Sequence, residues 1–370
     1  MDPALDDKKN DIQETLEKYE LGSFYSRVFL LIGILSFGAV IYLIGSSFLM
    51  LDRELVRDLQ EPISAQAANN SSELGDFKTN ISRVSISLDK LYKEGPTRGF
   101  IPAVMEPKFD VARNLSMNIS DKGILVKGSN GSTKFYPLRI LNWHEVINDE
   151  IDGQAIAVTF SPLTGTSAVF SRNISGENLI FDVTGMLYES NLVMFDTKTE
   201  SFWSQNERRS IAGDYDNTTL NLLQFELVDA GYVMKNYPKA LYMTEETGFQ
   251  RDYTYDPYKE YAISNIIYPE FGISDSEVNE EHAAKDLLYS VPFEGKVYSV
   301  LLKDLNEKSS AKFDTNKHTL NIKKVGQEII TEVISKNTDG SKKVEFVNLP
   351  GYYEMWFSWA IKHATDGILY

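Results

Sequence analysis

The densest run of polar chemistry in the chain is YPLRILNWHEVIND, residues 136–149. Proline at its second position suits a helix start, and a helix there places Arg139, Asn142 and Glu145/Val146 on one side, with Leu141, His144/Glu145 and Asn148 on another. In that arrangement His144 could serve as a base or metal ligand, with Glu145 or Asp149 beside it. The competing reading is a packing helix that buries Leu138, Leu141 and Trp143 and is capped by Asn148 and Asp149. A second polar run, Asp252-Tyr253-x-x-Asp256-Pro257-Tyr258, offers two carboxylates to a cation or polar ligand; it reads equally as a Tyr-rich loop lying over the domain. Trp203, Trp356 and Trp359 could form a carbohydrate platform, though at hairpin and helix spacing such residues are more often core.

Other chemistries are excluded. No GxSxG, GxxxxGK[ST] or HExxH motif occurs. Asp214-Tyr-Asp216 begins like a calcium loop but lacks the glycine and glutamate an EF-hand needs. The chain has 370 residues and no cysteine, so disulfides, thiol nucleophiles, iron–sulfur clusters and Cys-ligated zinc are absent. No metal or other cofactor is implied. With 37 Lys and Arg against 53 Asp and Glu, the net charge is −16, which repels phosphate backbones and argues against nucleic-acid binding.

The clearest positional signal is Val28 to Leu51, 24 residues without a charge. As a helix it would be about 36 Å long, enough for a hydrocarbon core of about 30 Å. It is too long for the apolar region of a signal peptide. Lys8, Lys9, Lys18 and Arg27 precede it, which favours a cytoplasmic N-terminus. All eight Asn-x-Ser/Thr sequons follow it, at Asn69, Asn70, Asn80, Asn114, Asn118, Asn130, Asn173 and Asn217. The expected plan is a cytosolic tail (1–27), a membrane helix (28–51), a juxtamembrane stalk (52–95) and an extracytoplasmic domain (96–370). Small residues Gly33, Ser36, Gly38, Gly45 and Ser46 would let the membrane helix pack against others in a complex.

These side chains must be positioned by a β-rich α+β domain of antiparallel hairpins with a few helices. Asn130-Gly131 marks a hairpin turn. AIAVTF (155–160) reads as a buried strand. TSAVFS with NLIFDVTG, and NLVMFD with ESFWSQ, read as further hairpins. LLQFELVDAGYVMKNYP (222–238) and YYEMWFSWAIKHA near the end have helical spacing, and ISRVSISLDKLYKEG in the stalk reads as a short packing helix. KFYPLRIL (134–141) echoes KVYSVLLK (296–303), and the 222–242 run echoes the C-terminal run. This suggests two related lobes, 100–243 and 286–370, joined by the loop 244–285; chance similarity is the alternative.

YPLRILNWHEVIND, AVTFSPLTGTSAVF, VTGMLYESNLVMFDTKTESFWSQ, ETGFQRDYTYDPY and WFSWAIKHATDGILY, in that order, resemble the domain of unknown function 3179 family over roughly residues 97–370. The resemblance implies a shared fold but no activity. Where relatives carry Cys-Pro-Leu-Cys-Gly-Thr, this chain has Ser161-Pro162-Leu163-Thr164-Gly165-Thr166. In relatives the thiols, with histidines matching His144 and His363, could ligate a metal or cycle through a disulfide. Hydroxyls here do neither well. Ser161, Thr164 and Thr166 are left as a turn or as ligand-binding groups, or Ser161 as a nucleophile activated by His144. The overall expectation is a membrane-anchored, non-catalytic protein that binds or scaffolds either a partner protein or a surface glycan outside the membrane. The alternative is an enzyme or a metal- or ligand-binding protein using His144, Glu145, His363 and the 161–166 loop.

Overall fold

A computed structural model describes residues 77–93, 98–114, 118–268, 282–336, 342–345, 348–363 and 365–370. Among these no helix is long and apolar enough to cross a membrane. The Val28–Leu51 segment, the tail before it, Asn69, Asn70 and the Asp339-Gly340 turn lie outside the described residues.

The fold is β-rich, with five short α-helices among the described residues. Its first unit runs β1 (Lys122–Lys127), β2 (Thr133–Pro137), α1 (Leu138–His144), β3 (Val146–Ile151), β4 (Gln154–Ser161) and β5 (Thr166–Ser171). Then come β6 (Phe181–Tyr188), β7 (Asn191–Asp196), β8 (Phe202–Ser204) and β9 (Arg209–Ala212). It closes with β10 (Glu226–Asp229), α2 (Ala230–Asn236) and β11 (Leu241–Met243). The single-turn helix α3 (Lys259–Ile263) lies in the connection. The second unit runs β12 (Leu287–Phe293), β13 (Lys296–Leu301), α4 (Leu302–Lys308), β14 (Ser310–Asp314), β15 (His318–Val325) and β16 (Glu328–Lys336). It ends in β17 (Tyr352–Met355), α5 (Trp356–Lys362) and β18 (Gly367–Leu369).

The two units share an order. One sheet contains β10-β1-β2-β11, and another contains β17-β12-β13-β18. In both, the first two pairings are antiparallel and the last is parallel. In both, a helix follows the hairpin and another helix links the outer strands. The helices α1 and α4 begin at Leu138 and Leu302, two residues out of step with the sequence echo. The second sheet continues through β5-β4-β3, because Tyr353 of β17 pairs with Ser167 of β5. One apolar cluster draws on both units, including Ile124, Tyr136, Leu141, Val158, Tyr289, Val300, Leu320 and Tyr353. Helices of seven residues are too short to persist alone in water, so burial on these sheets holds them.

Several elements differ from the sequence expectation. The 222–238 run is not one helix: Glu226–Asp229 pairs with β1 as a strand, and only Ala230–Asn236 is helical. Tyr352–Met355 likewise pairs with β12 before α5 begins. The stalk segment forms a 3-10 turn at Leu88–Lys90 and a strand at Leu91–Lys93 paired with β6. TSAVFS and NLIFDVTG do not pair with each other; β5 pairs with β4, and β6 with β7. Asn148 and Asp149 belong to β3 rather than to a helix cap. The Asn130-Gly131 hairpin forms as expected, with Gly131 at φ +91°. Trp203 is wholly buried, and Trp356 stacks on Trp359 with centroids 5.1 Å apart; these rings are core rather than a platform.

Candidate functional site

The last turn of α1 is tied to residues 253–258 along its length. Asn142 Nδ2 donates to Asp256 Oδ1 at 2.9 Å, and Trp143 Nε1 donates to the Tyr255 carbonyl at 3.1 Å. His144 Nε2 lies 2.7 Å from the Tyr253 hydroxyl. Tyr258 hydrogen-bonds Glu145. Two residues of α3 further on, Tyr261 donates its hydroxyl to the Leu163 carbonyl at 2.8 Å. Residues 253–261 thus form a strap over α1 and the 161–166 loop.

The protonation pattern follows from the partners. His144 Nδ1 is 2.7 Å from the Pro102 carbonyl, which can only accept, so Nδ1 carries the hydrogen. Nε2 then accepts from the Tyr253 hydroxyl, and Thr247 donates to the Tyr253 oxygen at 2.6 Å. Burial lowers the His144 pKa, outweighing the Pro102 bond, so the ring is neutral. Both nitrogens are engaged, and neither is bonded to Ser161.

Glu145 closes α1 with φ +56° and ψ −33°, a strained conformation for a residue with a Cβ. Burial pushes its carboxyl up to about 8, against the opposing Tyr258 bond. It therefore carries a proton at neutral pH. Its carbonyl accepts from Phe160 N–H at 2.8 Å, which sets Glu145 beside the end of β4, where Ser161 follows.

The 161–166 loop is a buried turn between β4 and β5, with Ser161 paired to Thr166. Gly165 adopts φ +61°, and a Cβ there would lie 3.0 Å from Met355 Cγ. The Thr164 hydroxyl accepts from Asn191 Nδ2 at 2.9 Å and bonds Thr166 Oγ1 at 2.9 Å. Gln205 extends the network, donating to Thr159 Oγ1 at 2.8 Å and to the Thr166 carbonyl at 3.1 Å. Met355 N–H donates to the Thr164 carbonyl at 2.8 Å. The Ser161 hydroxyl, on a residue 2 % exposed, makes no hydrogen bond among the described residues.

The other candidates have structural partners. Asn148 exchanges two bonds with the Phe181 backbone, at 2.7 and 2.9 Å, fastening β3 to β6. Asp149 takes Lys134 at 2.8 Å and the Tyr136 hydroxyl at 2.7 Å. Asp252 caps a turn through Thr254, and Asp256 accepts from Tyr258 N–H as well as Asn142, so these two carboxylates serve the strap's own backbone and its tie to α1. Among the described residues no group of three or more His, Cys, Asp or Glu is arranged to hold a metal ion. His363 belongs to a different network from His144, with Nε2 2.9 Å from the Tyr352 hydroxyl and Nδ1 2.9 Å from Asp366 Oδ1. The six sequon asparagines that are described, Asn80, Asn114, Asn118, Asn130, Asn173 and Asn217, are all exposed.

Sequence reasoning named Tyr258 only as part of its loop and missed Tyr261, Asn191, Gln205 and Glu354. Only Glu354 leaves a local signal, a lone charge within the aromatic run YYEMWFSW. No curated protein and no solved structure matches the chain. Residues 98–365 match the family described as a protein of unknown function (DUF3179), and the chain belongs to that family.

Proposed function

We propose that this is a single-pass, membrane-anchored protein whose extracytoplasmic domain binds or scaffolds within a membrane or cell-surface complex and does not catalyse. Val28–Leu51 is the anchor, with the N-terminus cytoplasmic. The observation that carries the non-catalytic reading is the 161–166 loop: Thr164 and Thr166 spend their hydroxyls on each other and on Asn191, and His144 spends both nitrogens elsewhere. No nucleophile–base pair is assembled there. The exposed sequon asparagines support an extracytoplasmic domain.

The test is a turnover screen of the purified full-length chain with ester, phosphate and glycoside reporters, with and without divalent ions. Rates equal to those of Thr164→Ala are expected. Turnover that disappears in Glu145→Gln would overturn the reading. Migration at monomer mass in mild detergent would count against a complex. The second reading, a ligand-binding or enzymatic loop, is favoured by one observation: the proton-bearing Glu145 and the unpartnered Ser161 hydroxyl flank the same strand end.

A further inference from the structure

The two units bury different chemistry beneath their second helix. Under α2, Leu125 and Phe135 face each other across β1 and β2, with Val228 of β10 and Val233 of α2 in the same apolar cluster. The shared strand order and pairings put Ser290, Ser299, Glu354 and Trp359 at the corresponding places under α5. There Ser290 Oγ lies 2.8 Å from Ser299 Oγ and donates to Glu354 Oε1 at 2.9 Å. Trp359 Nε1 donates to Ser299 Oγ at 2.7 Å. Glu354 is wholly buried, and its Oε2 has no partner among the described residues. The same scaffold closes in the first unit with valine at this place, so the architecture does not require the carboxyl. An acid buried against that alternative costs stability and marks a site kept for another reason.

A hydrogen-bonded route leads from Glu354 outward. Tyr352 hydrogen-bonds Glu354, and its hydroxyl lies 2.9 Å from His363 Nε2, which is itself 3.8 Å from Glu354 Oε1. His363 Nδ1 is 2.9 Å from Asp366, whose side chain is 44 % exposed.

We propose that Glu354 is a proton-exchange site that returns its proton to solvent through Tyr352, His363 and Asp366. On release, the carboxyl proton passes to the Tyr352 oxygen while the phenol proton moves to His363 Nε2. The Nδ1 proton passes to the Asp366 carboxylate, which gives it to water. One proton leaves, Glu354 is left ionised, and His363 ends neutral as the other tautomer. The charged groups around Glu354 set its balance. Burial pushes it up to about 7, opposed by the Ser290 bond, Arg208, Lys362 and Tyr352. Arg208 lies over the Tyr352 ring at 4.9 Å from its centroid. Lys362 is held by Glu207 and also feels Glu189. Burial pulls His363 down to about 4, against the opposing Asp366 bond, which keeps the relay ring neutral.

The experiment is infrared pH titration of the purified full-length chain with Glu354→Gln, Glu354→Val and His363→Asn. A buried carboxylic-acid band should fade with a midpoint near about 7 in the wild type, and that component should be missing in Glu354→Gln. Glu354→Val should melt no lower than the wild type, because the first unit already carries valine there. After a pH jump, His363→Asn should lose the fast phase of the band's decay. An unchanged band in Glu354→Gln, a lower melting temperature in Glu354→Val, or an undisturbed fast phase in His363→Asn each overturns the proposal.

Discussion

Glu145→Gln tests whether a buried, protonated carboxyl governs the pH response of the fold. The folded pKa of Glu145 is about 8 against an ordinary value of 4.5, with burial as the main cause. A carboxyl raised on folding favours the native state fully only below its unfolded pKa. As pH rises past about 4.5 the unfolded chain ionises and the folded one does not, so stability is lost until the folded group also ionises near pH 8. Each pKa unit is worth about 1.4 kcal/mol, so the full shift is on the order of 5 kcal/mol across that window. Glutamine keeps the shape and a bonding partner for Tyr258 but cannot ionise. Urea midpoints of the full-length chain at several pH values should therefore fall less steeply in Glu145→Gln than in the wild type. The variant should match or trail the wild type at pH 4.5 and gain on it by pH 8. Parallel curves for the two proteins would refute the assignment of a desolvated, proton-bearing Glu145.

Asn148→Ala removes both bonds to the Phe181 backbone, leaving a buried donor and acceptor unpaired; a loss of about 2–3 kcal/mol in denaturant unfolding is expected. Gly165→Ala meets both the left-handed backbone and the Met355 side chain, so a loss of about 1–3 kcal/mol should appear as a lower melting temperature. Thr164→Val is nearly isosteric but takes one acceptor from the Asn191 amide, which keeps Gln205, and leaves the Thr166 hydroxyl without that partner. It should cost about 1–3 kcal/mol, whereas Ser161→Ala, which removes no bond, should change the melting temperature little.

Local signals in the sequence identified turns and buried strands well. The Asn130-Gly131 turn and the apolar run of β4 need only their own residues to be read. The boundaries of α2 and α5 were hidden for a different reason. Glu226–Asp229 has the spacing of a helix, but its backbone pairs with β1, about a hundred residues earlier in the chain, and that pairing decides its conformation. Tyr352–Met355 is captured by β12 in the same way. At the site, residue identities were legible and partners were not. His144, Tyr253 and the 161–166 loop stand out by type. That Tyr253 rather than Ser161 would hold the imidazole depends on where the strap crosses α1, which no window of sequence contains.

The motifs that carry the family resemblance are far apart in the chain, yet four of them meet around the 161–166 loop. The first supplies α1 and Glu145, beside the end of β4. The second is the loop itself. The strap motif covers both, through Tyr258 on Glu145 and, just past its end, Tyr261 on Leu163. The third supplies Asn191 and Gln205, which donate to the Thr164 hydroxyl and the Thr166 carbonyl. Met355, one residue before the C-terminal motif, holds the Thr164 carbonyl with its N–H and packs its side chain against Gly165. A loop kept only as a turn would need the Gly165 conformation and little else. Here the contacts come from four distant segments, and they seal Thr164 and Thr166 inside while leaving the Ser161 hydroxyl unbonded among the described residues. The loop is therefore held as a shaped element rather than as a linker. If a ligand is read at this place, Ser161 is the position whose substitution should change binding without changing the fold.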